Sequence, residues 1–82
     1  MTELEILDVI REELARIAPE VDFDILDRTE DLREQADLDS MDFLNLLTAL
    51  HQRLGVDIPD ADAARLATID GAVAHIEARA RR

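Results

Sequence analysis

Apolar residues recur at helical spacing in three separate segments of this chain. Leu7, Ile10, Leu14 and Ile17 follow one another at intervals of three and four. Phe43, Leu46, Leu47, Leu50 and Leu54 do the same, and so do Ile69, Ala72, Val73 and Ile76. At about 100° per residue each set falls on one face of a helix. Such a face is buried only by packing against another like it. Val56 and Ile58 alternate with polar neighbours, but the piece is too short for a sheet. The pattern therefore predicts an all-α fold, a small four-helix bundle. At 82 residues it is a single domain, with a core over about 4–78 and a basic tail at 79–82. A core of this size is marginal, so little apolar surface can be wasted.

Local signals place the boundaries. Thr2 followed by Glu5 reads as a capping box opening the first helix, and Pro19 ends it. Residues 18–39 form a long acidic connection with no clean helical period. Val21, Phe23, Ile25, Leu26, Leu32 and Leu38 are its candidate anchors, with a short helical turn expected around Thr29 to Glu34. A connection this long in a compact domain is usually functional. The second long helix starts at Asp39 or Ser40 and runs to Leu54, with Gly55 as its terminator. "DADAARLA" predicts a short third helix with Leu66 inward, and Thr68 caps the last one. Gly71 inside that last helix costs about 1 kcal/mol against Ala, so a close helix contact is expected there.

Composition removes several functions. The formal net charge is −11 and the pI about 4.3. Nucleic-acid binding needs clustered Lys and Arg, so it is excluded; basic partner surfaces are favoured. The charge is uneven: residues 3–42 hold fifteen acids and four arginines, residues 43–82 five of each. There is no cysteine, hence no disulfide and no thiolate metal site. No apolar run of about 18 residues is present, so no membrane span is expected. "MTELEILDVIREELARI" lacks the basic start and apolar stretch of a signal peptide, which leaves the cytoplasm as the expected compartment.

Catalytic chemistry is poorly supplied. The chain has neither lysine nor tyrosine, and its two histidines, His51 and His75, show no metal-ligand spacing. Both are expected to be surface or helix-end residues. A calcium loop needs Gly at its sixth position and Glu at its twelfth. Counted from Asp37 these are Asp42 and Thr48; counted from Asp22 they are Asp27 and Arg33. Both loops fail, and no metal site is expected. Nucleophilic catalysis by Ser40 lacks a base stronger than aspartate. No catalytic residue is assigned, and the chain is not expected to be an enzyme.

The stretch "DLDSMDFL", residues 37–44, holds the chain's only serine. Asp39 as N-cap and Asp42 three residues later suit a variant capping box, which leaves Ser40 at the first helical position with its hydroxyl toward solvent. Met41 and Leu44 fall outside the core arc, on the same side as Ser40, and Thr48 and His51 continue that side. An apolar edge beside an exposed hydroxyl suggests a docking surface. A helix start also suits a phosphate group, although Asp39 and Asp42 oppose it electrostatically.

From about Leu4 to Ile76 the chain resembles an acyl carrier protein. The element order matches, and the family's Asp-Ser-Leu-Asp motif stands here as Asp39, Ser40, Met41 and Asp42. The register continues through "FLNLLTALHQRLGVDIPDADAARLATI". The resemblance implies 4′-phosphopantetheine attached covalently to Ser40 by a phosphopantetheinyl transferase, and an acyl group held on it as a thioester. It implies acyl-loading and acyl-transfer enzymes of fatty acid, lipid or polyketide-type synthesis as partners, and a monomer. Asp39, Met41, Asp42, Leu44, Asn45 and Thr48 are the candidate partner-binding residues. The family's glycine shortly before the motif is absent. Positions usually acidic in fatty-acid-synthesis carriers hold Asn45, His51 and Gln52, and Arg53 stands at another. These departures point to a specialised carrier rather than the main fatty acid synthesis carrier. A peptidyl or aminoacyl carrier, whose motif more often reads Gly-Gly-x-Ser-Leu, and an unmodified helical interaction module are the alternatives.

Overall fold

The computed structural model describes residues 2–80. Helix α1 spans Glu3–Ile17, α2 Leu32–Gln35, α3 Ser40–Leu54 and α4 Ile69–Ala80, with 3₁₀ turns at Phe23–Ile25 and Asp60–Leu66. The described residues contain no strand. The helical bundle expected from the periodicity is present, with two refinements. Its short third member is 3₁₀ rather than α, and the helical turn expected around Thr29 to Glu34 in the long connection is α2, at Leu32–Gln35. Arg79 and Ala80 belong to α4; residues 81 and 82 of the expected tail lie outside the described residues.

Each long helix starts where its cap predicts. The Thr2 hydroxyl accepts the Glu5 N–H at 3.2 Å, and the Glu5 carboxylate reaches back to that hydroxyl at 3.3 Å. Thr68 accepts the Gly71 N–H at 2.9 Å at the start of α4. Gly55, at φ 65°, ends α3 with its N–H on the His51 carbonyl at 2.9 Å. The buried centre of α1 is Ile6, Ile10 and Leu14, while Leu7 and Ile17 are half-buried flanks. These side chains meet Leu46, Leu47 and Leu50 of α3 and Val73 and Ile76 of α4 in one core. Each fully buried Leu or Ile contributes about 1.5–3 kcal/mol.

Charged side chains tie the layers together. Arg53 of α3 reaches Glu12 at 2.7 Å and the buried Glu13 at 3.0 Å on α1. Arg79 donates to Asp62 at 2.9 Å and to Nε2 of His75 at 2.8 Å, joining α4 to the 3₁₀ segment before it. His75 is therefore buried and bonded, which corrects its expected place at the surface or a helix end. Gly71 is where that segment crosses closest: a Cβ there would overlap the Arg65 carbonyl oxygen.

The long connection is ordered and pinned. Leu32, Ala36 and Leu38 are buried, and Val21, Phe23 and Leu26 pack against the core from its edge. Ile25 does not anchor: it is 79% exposed, because the 3₁₀ turn faces Phe23 inward instead. Arg28 bonds Asp70 at 2.7 Å and Glu3 at 3.1 Å, and its carbonyl accepts the Asp70 N–H at 3.0 Å. The Leu32 N–H reaches the Ala67 carbonyl at 2.6 Å. The Cα radius of gyration is 11.5 Å, near the ~12 Å of a compact domain this size, so the connection lies on the bundle.

Candidate functional site at the start of helix α3

Two local devices fix the start of α3. The first ends α2: Asp37 takes φ 54°, and the Leu38 N–H reaches back to the Arg33 carbonyl at 2.8 Å. That is the bond of a Schellman cap, whose left-handed residue is usually glycine. The second starts α3. The Asp39 carboxylate accepts the Asp42 N–H at 2.7 Å, and the Asp42 carboxylate accepts the Asp39 N–H at 3.5 Å. Both aspartates of the motif are thus engaged as the capping box read from the sequence.

Ser40 follows as the first residue of a 15-residue helix. It is exposed, and its hydroxyl has no hydrogen-bond partner among the described residues. Phe43, Leu46, Leu47 and Leu50 turn into the core on the other side. Met41, 64% exposed, and Leu44, 52% exposed, stand beside the serine. Asp39, Asn45 and Thr48 are exposed too, and Asp42 is half-buried by its capping bond. The Thr48 hydroxyl donates to the Leu44 carbonyl at 2.9 Å. One cation approaches the start of the helix: Arg33 lies 5.1 Å from the centre of the Phe43 ring. Asp31 holds that guanidinium by a side-chain hydrogen bond and raises its pKa.

The chain after Gly55 adds a wall that the sequence reading did not assign to the site. His51 Nδ1 lies 2.8 Å from the Val56 carbonyl and folds the "GVDIP" segment back along α3. A groove of about 180 Å³ results, with Leu44, Leu47, Thr48 and His51 on one side and Asp57, Ile58 and Pro59 on the other. The signal was present in Gly55 and Pro59, which bound a turn, but the direction of the return is set by tertiary contact.

The sequence matches the phosphopantetheine attachment site family over residues 5–76. It is similar to an acyl carrier protein of Campylobacter hominis, 34% identical over 73 residues, 89% of this chain and 86% of that protein. An acyl carrier protein of Lactobacillus johnsonii is 34% identical over 77 residues, covering 94% of this chain and 95% of its own length. The chain belongs to the acyl carrier protein family. The residues of this carrier fit 4′-phosphopantetheine, the family's cofactor: the start of α3 offers an exposed, unpartnered hydroxyl at a helix end that favours phosphate, and an apolar edge runs on beside it. Among the described residues no group of His, Asp and Glu is placed to hold a metal ion, and no helix is long and apolar enough to cross a membrane.

Proposed function

We propose that Ser40 is the residue that bears the phosphopantetheine of this acyl carrier protein. The observation that carries the reading is the exposed Ser40 hydroxyl, free of partners among the described residues while both flanking aspartates are engaged in the cap. In the modification step the Ser40 oxygen loses its proton and forms the new bond to phosphorus, and the nucleotide half of coenzyme A leaves. When bound, the arm supplies a terminal thiol, so a chain without cysteine holds an acyl group as a thioester. The chain's own part is positional. The capping box fixes the backbone at Ser40, the first-turn amides and helix dipole favour the phosphate, and the bundle gives the arm a rigid base.

The carrier presents its cargo and does not itself catalyse; within the stretch 37–44 around Ser40 no residue is a base stronger than aspartate. Its partners are a phosphopantetheinyl transferase and acyl-loading and acyl-transfer enzymes. They read Asp39, Met41, Asp42, Leu44, Asn45 and Thr48, the residues that surround Ser40 along α3. We place the protein in the cytoplasm, as a monomer, serving one specialised pathway. Incubation with an acyl-coenzyme A and a broad-specificity transferase should add one acyl-phosphopantetheine to the intact mass. Neutral hydroxylamine should then remove the acyl group and leave the arm. A chain that stays at its original mass is an unmodified helical interaction module instead.

A further inference from the structure

Twenty acids give this chain its charge of −11, yet none lies between Phe43 and Leu54. Helix α3 holds a single acid, Asp42, whose carboxylate is bound into the cap. The exposed residues that follow it along the helix are Leu44, Asn45, Thr48, His51, Gln52 and Arg53. Arg53 is spent on Glu12 and Glu13 of α1, and Nδ1 of His51 on the Val56 carbonyl. Along the rest of that face, from Leu44 to Gln52, no residue carries a carboxylate to offer a basic partner. Among the described residues, Asp39 and Asp42 stand at one end of it and Asp57 lies across the groove.

We infer that this face docks partner enzymes by apolar contact with a hydrogen-bonding rim, and that the partner surface it fits is an uncharged apolar recess. Lysines or arginines pressed against the face beyond Asp42 would lose water without gaining an anion, which is unfavourable. An apolar recess gains from covering both side chains, while Asn45, Thr48 and Gln52 supply the rim. The groove, with Leu44, Leu47, Ile58 and Pro59 as its apolar wall and Thr48, His51 and Asp57 as its polar one, adds a seat for one side chain of the partner. The face adjoins Ser40, so an enzyme reaching that residue must cover it. The inference rests on the assignment of Ser40 as the modified residue.

The test uses a broad-specificity phosphopantetheinyl transferase with coenzyme A and measures KM for the carrier between about 50 and 300 mM salt, a range over which exposed ion pairs are strongly screened. Wild-type KM should change less than about threefold. Leu44→Ala and Met41→Ala should each raise it about tenfold, as loss of a docking anchor does. Both side chains are exposed, so the unfolding midpoint should not move. A variant with Asn45→Glu, His51→Glu and Gln52→Glu, measured in the same salts, should show a steeper salt dependence than wild type and controls for salt effects on the transferase. Either a tenfold rise of wild-type KM with salt or indifference to both truncations overturns the inference. Absence of modification at every salt overturns the assignment of Ser40 and the inference with it.

Discussion

Asp37 occupies a backbone position that most side chains avoid. Its φ of 54° turns the chain out of α2 and aims it at Asp39, the residue before Ser40. Asp37 does the geometric work that a left-handed cap usually gives to glycine, since short polar side chains tolerate this region best. The conformation costs an aspartate about 1 kcal/mol, and a glycine there loses about 0.5–1 kcal/mol in chain entropy. The two nearly cancel. Asp37→Gly should therefore leave stability within about 0.5 kcal/mol, while the β-branched Asp37→Val should lose about 1–3 kcal/mol. Urea unfolding of both variants checks this, and equal stability of the two would show that the left-handed turn imposes no constraint. Other residues were illegible in the sequence for a related reason. Glu13 is a buried carboxylate whose partner, Arg53, stands forty residues away. His75 is buried, and its Nε2 accepts from Arg79, which also donates to Asp62. The Glu13–Arg53 pairing leaves no local trace in the sequence, and the i,i+4 spacing of His75 and Arg79 does not by itself imply burial.

Among the elements, the long connection between α1 and α3 separates what periodicity can reveal from what it cannot. Helices α1, α3 and α4 were legible because an apolar stripe and a cap both marked them. The connection showed its anchors, but Ala36 carried too little apolar signal to be noticed, and Ile25 carried apolar signal yet faces solvent. Short turns have no period, so a side chain's direction depends on which neighbour bonds it. Here the bonds come from the Gln35 amide and from carboxylates. Asp27 accepts the N–H and hydroxyl of Thr29, which hold it below its ordinary value of 3.8. Arg33 does the same for Asp31 through its side-chain hydrogen bond. With folded values depressed, these bonds stabilise the connection above the ordinary carboxylate value and are lost as pH falls through the folded values. Melting temperature should decline with acid below the ordinary value of 3.8, and Asp27→Asn should make that decline shallower. An unchanged acid limb in Asp27→Asn would remove this carboxylate from the account.

At the scale of the whole molecule, charge and function pull on the same residues. A charge of −11 on 82 residues repels itself in the folded state. Moderate salt, about 0.15 M, shortens the screening length to about 8 Å. It should raise the melting temperature by about 2–4 °C, the shift expected from roughly 0.5 kcal/mol in a domain this small, and magnesium should act in the same direction. A flat response would mean that the acids are spaced widely enough not to matter. The acids that repel are absent from most of α3, where the apolar edge beside Ser40 stands. The fold thus keeps the start of α3 capped, the Ser40 hydroxyl free of partners among the described residues, and the helix beyond Asp42 without carboxylates. The most direct test of this account is the intact mass of the protein after incubation with coenzyme A and a broad-specificity phosphopantetheinyl transferase. Wild type should gain one phosphopantetheine and Ser40→Ala none; an unchanged wild-type mass, or the same gain in Ser40→Ala, would contradict it.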